Sequence, residues 1–471
     1  MMLYWRIFNE RYASRIEFWI VLFFVIRLIG ITNAPIEIAH NWRQVTGLMV
    51  ARNFYETDAS LFYPRIDDTQ GGTGIIGMEF PLLNYLHYLM ALIFDYDHWY
   101  GRLINLIISS IGVFYFYKTL RLLFTEKLAF YASYVLLVSS WFAFSRKMMP
   151  DTFCISLMFI AVFHGLKYLY EGKTVNILWY FVFATLAILS KIPAGIYLSI
   201  FLPVIFLNRP SVRQISWFVL FTVFSLVISG YWYFVWCPYL SETYGQWYNT
   251  GMSLNVGFIE VFSPFSDTSR RFYFDAFSGF IAFGVFLFGV FSLYKKGDKL
   301  FVLMVSILSI AFFFYMLKSG YFFHHHTYYI LPFVPVMAMV IGFLFSLFEN
   351  KKTVVVSLLI LITLEGIANQ QHDFFLKESE KYKLNLESFL DLHISRENKI
   401  AINGNGNPQL LYLSHRKGWV CSDDQVNELG FLKSLKSKGC EFLVLVNNEN
   451  RRYNLHLTLI SSNKFVEVYK L

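Results

Sequence analysis

The chain has 471 residues, of which 56% are hydrophobic and 20% aromatic, while only 15% are charged. Soluble domains carry roughly a quarter charged residues, so an ordinary soluble protein is excluded and an integral membrane protein is implied. The net charge of +8 resides mostly in short basic loops between apolar runs and does not argue for nucleic acid.

Arg6, Glu10, Arg11, Arg15 and Glu17 stand at the entrance to the first apolar run, and no small-residue cleavage site follows it. That pattern reads as a retained first helix, not a removed signal. Candidate spans lie at 16–32, 100–118, 128–146, 151–169, 174–190, 192–207, 215–236, 276–294, 299–317, 328–348 and 353–369, about eleven helices of bilayer length. The run 82–95 is short and holds Asn84, His87 and Asp95, so it reads as a helix lying in the interface. With the N-terminus inside, Lys118/Arg121/Lys127, Lys167/Lys173, Arg209/Arg213, Lys295/Lys296/Lys299 and Lys351/Lys352 all fall on the cytoplasmic side. Counting 82–95 as a span would invert that order.

Between the first and second spans lies a polar outer loop, 33–99. His40 to Gln44 opens a stretch with apolar residues at helical spacing, which suits an interfacial helix with Trp42 at headgroup depth. Asp67, Asp68 and Glu79 are the loop's central acids, with Glu56 and Asp58 before them and Glu37 near the first span. A group transfer that displaces a phosphate needs a carboxylate to take the acceptor's proton and cations to receive the departing phosphate. Asp67-Asp68 before Gly71-Gly72 equally suits a simple turn.

The outer face carries Arg43, Arg52, Arg65, Arg102, Arg146, Lys147, Lys191, Arg270, Arg271 and Lys318. Singly these suit helix ends or snorkelling; as a set they suit an anionic ligand such as a lipid phosphate. Asp151 is an available partner for Arg146. His324-His325-His326 is followed by Thr327-Tyr328-Tyr329. Adjacent histidines rarely all face one ion, so an interfacial aromatic belt or hydrogen bonding to phosphate fits them better than a metal.

Beyond Asn369 the composition becomes that of a soluble domain. Lys399–Gly404, Glu441–Asn447 and Lys464–Lys470 read as strands and Val426–Lys438 as an amphipathic helix, a small α/β domain at 370–471 following a membrane domain at 1–369. An odd number of spans places it outside. Cys154 and Cys237 read as packing residues, and a Cys421–Cys440 disulfide is open in an oxidising compartment.

In order along the chain stand HNWRQVTGLMVARNFY (40–55), DDTQGG (67–72), EFPLLNY (79–85), WYGRL (99–103), SRKMMPD (145–151), LSKIP (189–193) and HTYYILPFVP (326–335). This ordered set resembles the GT-C glycosyltransferases, specifically bacterial relatives of dolichyl-phosphate-mannose–protein mannosyltransferases and the aminoarabinose transferase of lipid A. The resemblance covers nearly the whole membrane region. It implies an all-α polytopic GT-C domain with interfacial helices in the first outer loop, plus the α/β domain. It also implies inverting transfer from a polyprenyl-phosphate sugar to a protein, lipid or glycan acceptor on the outer face of the cytoplasmic membrane, without a metal. Relatives place an acid where this chain has His40-Asn41, which leaves Asp67, Asp68 and Glu79 as candidate bases. His40, Trp42, Arg43, Arg52, Tyr85, Arg102, Arg146, Asp151, Lys191, His326 and Tyr328 are the expected substrate contacts. A flippase of lipid-linked sugars is the main alternative, but it should show mid-membrane charge and repeat symmetry, and neither is evident. A polymerase of polyprenyl-linked glycans would place its large loop later in the chain.

Overall fold

The computed structural model describes residues 12–36, 40–246, 248, 251–446 and 455–471. Arg6, Glu10, Arg11 and Glu37 lie outside the described residues. The helices used below are α1 (Ile16–Arg27), α2 (Asn41–Glu56), α3 (Leu82–Phe94), α4 (Tyr100–Leu123), α5 (Glu126–Val138), α6 (Pro150–Glu171), α7 (Thr174–Ser190), α8 (Val334–Leu347), α9 (Lys352–Gln370) and α10 (Leu429–Ser437). The chain divides into two compact units. One comprises Met1–Ile31, Arg102–Phe234 and Asn249–Phe374; the other comprises Thr32–Gly101, Val235–Tyr248 and Phe375–Leu471.

The first unit is helical. Among the described residues, five helices are long and apolar enough to cross a membrane: Tyr100–Leu123, Pro150–Glu171, Val212–Tyr244, Lys299–Ser319 and Glu349–Asp391. Three of the expected spans are interrupted. The run 128–146 breaks at Ser139, whose extended backbone (φ −76°, ψ 169°) separates α5 from Ser140–Phe144. The run 192–207 starts at Pro193 as a tight 3₁₀ helix, Ile192–Ile200, before relaxing to Phe201–Asn208. The run 328–348 begins as a 3₁₀ turn at Thr327–Ile330, and α8 starts only at Val334 with Pro335 in its first turn. Apolar length therefore overstated helical continuity. The core of this unit is close-packed where small residues let backbones meet. A Cβ on Gly342 of α8 would lie 2.6 Å from the Ala132 backbone nitrogen on α5.

The second unit joins the first outer loop to the C-terminal domain. Strands β1 (Ile400–Asn403), β2 (Gly418–Cys421), β3 (Phe442–Val446), β4 (Thr458–Ser462) and β5 (Val466–Lys470) form one sheet in the order β2-β1-β3-β5-β4. β2-β1-β3 is parallel, and β5 pairs antiparallel with both β3 and β4. Ile400–Asn403 and Phe442–Val446 are buried throughout, as expected of inner strands. α10 packs Leu432 and Leu435 into the core beside Trp419, Cys421 and Leu443. The expected strands and amphipathic helix are present; β2 and β4 were not anticipated.

The free edge of β2 is occupied by the first outer loop. Gly418 N–H donates to the Asp67 carbonyl (3.0 Å), and Gln70 N–H donates to the Gly418 carbonyl (3.1 Å), making a parallel bridge of Asp68 with Gly418. On the other side of Gly418, a Cβ would fall 1.8 Å from the Ile400 carbonyl oxygen, so only glycine fits between loop and β1. Cys421 and Cys440 are free, buried thiols. β1 separates their strands, and Cys421 pairs across from Asn403 while Cys440 precedes the Phe442–Ile400 pair at the other end. A disulfide between them is therefore excluded.

Candidate functional site

In the second unit, α2 presents a buried face from Gln44 to Phe54. Its cap is His40, held in the left-handed region at φ 62°, while Asn41 Oδ1 accepts from the Asn407 side chain (3.0 Å) of the C-terminal domain. Trp42 is exposed, as an interfacial anchor would be.

Arg52 and Asp67, read from sequence as phosphate ligand and base, instead hold each other. Arg52 Nη2 donates to Asp67 Oδ2 (2.6 Å), and the Asn53 amide donates to Asp67 Oδ1 (2.8 Å). Arg52 Nη1 donates to the Tyr412 carbonyl (3.1 Å), and its guanidinium lies 4.2 Å from the Tyr412 ring centre. Burial alone would lower the Arg52 pKa, yet Asp67 and the neighbouring tyrosines raise it above its ordinary value. Asp67 is 2% exposed with both carboxylate oxygens occupied. That is a structural pair, not an available base.

Asp68 is half-buried. Burial pushes its carboxyl up to about 6, against hydrogen bonds from Gln70 and the Val420 backbone. The Val420 bond ties Asp68 to β2, while Asp68 Oδ1 is buried without a hydrogen-bond partner among the described residues. Glu79 is different. It ion-pairs with Arg43, and the two side chains are 15% and 26% exposed. Tyr85 packs with Tyr88 against Val50, Phe54 and Met78, which gives it a packing role.

Residues that the sequence reading missed complete this unit. The Tyr412 hydroxyl bonds to Tyr96 Oη (2.8 Å) and His98 Nδ1 (2.7 Å). His415 stands between Glu387 (Nδ1, 2.7 Å) and Glu56 (Nε2, 2.9 Å). Both glutamates raise the His415 pKa, Glu387 first. A three-letter HNW or EFP motif is visible in a sequence; a partner 360 residues away is not.

In the first unit, the expected cations fall into separate clusters. Arg102 is fully buried, with Nη1 toward the Ile31 carbonyl (3.4 Å). Arg146 donates to the carbonyls of Asp373 (2.5 Å) and Ile29 (2.6 Å), and its guanidinium stands over Phe374. Lys147 pairs with the Asp373 carboxylate (2.8 Å), and Arg27 donates to Gln370. This junction ties the end of α9 to the end of α1. Asp151 does not pair with Arg146; it ion-pairs with Lys191, which leaves α7 in extended conformation. The Lys191 ammonium lies 5.0 Å from the Tyr328 ring centre and 5.7 Å from that of Tyr329. His326 stacks on Tyr328 (5.1 Å, 13°) and on Phe322 (6.2 Å, 8°). Asp151 Oδ2 is buried without a hydrogen-bond partner among the described residues. An ammonium, an open carboxylate oxygen and stacked ring faces together can bind a polyhydroxylated, anionic ligand.

The neighbouring histidines diverge. His325 stacks on Tyr321 (5.0 Å), whereas His326 stacks on Phe322 and Tyr328. Among the described residues no three His, Cys, Asp or Glu groups are arranged to hold a metal ion.

Residues 79–234 match the family model of dolichyl-phosphate-mannose-protein mannosyltransferases. No curated protein matches the chain by sequence. Among solved structures, ArnT from Cupriavidus metallidurans bound to undecaprenyl phosphate is similar at 12% identity and a TM-score of 0.63, covering 96% of this chain and 98% of that one. The apo state of ArnT gives a TM-score of 0.60 at the same identity, covering 96% and 97%. The archaeal oligosaccharyltransferase AglB from Archaeoglobus fulgidus, solved with an inhibitory peptide and a dolichol-phosphate, gives 0.55 at 12% identity, covering 94% of this chain and 70% of that one. The chain thus has the GT-C glycosyltransferase fold that its motifs implied, and it is membrane-embedded.

Proposed function

We propose that this chain of GT-C fold is an inverting glycosyltransferase that moves a sugar from a polyprenyl-phosphate donor to an acceptor on the outer face of the cytoplasmic membrane. The supporting observation is the end-to-end likeness to ArnT, a protein solved with undecaprenyl phosphate. The ring-faced Lys191–Asp151 pair is what an anionic glycolipid would need. The N-terminus is inside and the C-terminal domain outside, from the basic inner loops.

Glu79 is the base. Asp67 is consumed by Arg52 and Asn53; Asp68 is bonded by Gln70 and the Val420 backbone, with Oδ1 buried without a partner among the described residues, whereas Glu79 keeps partial exposure beside Arg43. Its carboxylate takes the proton of the acceptor hydroxyl or amine as that atom attacks the anomeric carbon. The bond from that carbon to the phosphate oxygen breaks, with inversion, and the polyprenyl phosphate leaves with the electron pair. Within the first unit, Lys191 and His326 are the groups suited to a lipid phosphate. Arg43 ion-pairs with Glu79 and holds its carboxylate in place. The acceptor is a protein, lipid or glycan, and the donor sugar a hexose or pentose.

The test is transfer of label from a panel of radiolabelled polyprenyl-phosphate sugars by purified protein in lipid vesicles. Glu79→Gln should lower kcat by about 10² to 10⁴-fold, the usual worth of a positioned general base. Full activity in Glu79→Gln would remove it from the mechanism, and a loss confined to Asp68→Asn would reassign the base.

A further inference from the structure

The donor chemistry does not by itself require a soluble domain, yet this one is bonded to the first outer loop at several places. We infer that Tyr412, from the C-terminal domain, is a positioning residue for transfer: it fixes helix α2 and so the Arg43–Glu79 pair. The inference rests on Glu79 being the base.

Tyr412 is 1% exposed and lies in the helix Gln409–Leu413 that follows β1. It grips α2 at two levels. Its carbonyl and ring hold the Arg52 guanidinium. Its hydroxyl bonds to Tyr96, and Tyr96 Oη donates to the Leu48 carbonyl (3.2 Å), one turn earlier on α2. That donation fixes the proton order. Tyr412 donates to Tyr96 and accepts from His98 Nδ1–H. Burial keeps the Tyr96 hydroxyl well above the ordinary tyrosine range, so it stays a donor.

The segment bearing Glu79 is attached to the same helix on both sides. Met78 packs with Val50 and Phe54, and Asn84 Nδ2 donates to the Gly47 carbonyl (2.7 Å). Arg43, on the first turn of α2, closes the pair with Glu79. A shift of α2 therefore carries the carboxylate with it. A misplacement of about 1 Å at a catalytic group costs about 100-fold in rate.

The experiment uses the full chain in lipid vesicles with the polyprenyl-phosphate sugar that the wild type turns over. Tyr412→Phe should lower kcat about tenfold, with the donor KM within about twofold, as loss of one buried hydrogen bond implies. Hydrogen exchange over residues 41–56 should rise. Tyr96→Phe removes the same hydroxyl pair from the loop side and should give a similar loss. The double variant should be no worse than the poorer single one. Unchanged kcat and unchanged exchange in either single variant, or a loss confined to KM, would overturn the assignment. A wild type that transfers no sugar from any donor would sink the proposed function, and the exchange measurement would still decide whether Tyr412 holds α2.

Discussion

Two buried carboxylate–cation pairs, one in each unit, differ in how completely they are satisfied. In Arg52–Asp67 both carboxylate oxygens are bonded, and the guanidinium is further held by a carbonyl and a ring. In Lys191–Asp151 one carboxylate oxygen is bonded and the other is buried without a partner among the described residues, while the ammonium faces two tyrosine rings. An unmade buried bond is expensive, about 1–3 kcal/mol. On the function proposed above, the fully bonded pair is a joint and the pair with an open oxygen a receptor for the donor. Residue type and spacing did not separate them, because both are Asp beside a cation.

Breaking the joint should have the largest effect on stability. Asp67→Asn leaves the buried Arg52 charge uncompensated and should cost about 3–5 kcal/mol. Denaturant unfolding monitored on the C-terminal domain would measure it. A loss no larger than that of an exposed ion pair would erase the contrast between the two sites. Breaking the receptor should act on rate. Asp151→Asn should lower transfer by about 100-fold while the unfolding midpoint moves little. An equal loss of stability in both variants would make Lys191–Asp151 a second joint.

The smallest effect belongs to His415, which bridges α2 to the C-terminal domain at the protein surface. Glu387 and Glu56 raise its pKa, while Arg52 opposes its charge. Its contribution is therefore complete below the ordinary histidine value, about 6.5, and is lost as pH rises through the raised folded value. Hydrogen bonds from His415 lower the Glu387 pKa, and they lower that of Glu56 against the opposing effect of burial. Their share is present above the ordinary glutamate value and lost as pH falls through the lowered one. With Glu56 and Glu387 38% and 39% exposed, the bridge should contribute under about 1 kcal/mol. His415→Gln should flatten the alkaline loss of stability between wild-type samples at moderately acid and alkaline pH. A variant with the wild-type slope would show that the bridge contributes nothing.

What the sequence made legible follows from what each signal measures. Hydropathy reports burial in lipid, so the apolar runs were found. It is blind to backbone breaks at Ser139 and Pro193, and three spans came out too continuous. Strand patterns at 399–404, 441–447 and 464–470 were readable because they are local. β2 was missed since Gly418 opens it and the loop, not a hairpin partner, covers its edge. The roles of the candidate acids depend on distant partners, which spacing does not show. Asp67 and Arg52 were assigned different tasks although they bind each other, and Asp151 was matched to Arg146 although it serves Lys191. Glu79 pairs with Arg43 of HNWRQ, which also lies in the first outer loop.

The parallel bridge between Asp68 and Gly418 also bears on how this chain varies over evolutionary time. A bare sheet edge invites pairing with other chains, and here the loop covers the β2 edge. The two segments therefore form one structural unit. A change of loop length near Asp67 or a side chain at Gly418 should persist only with a matching change in the other. Lineages that exchange the C-terminal domain should be found to have exchanged the first outer loop with it.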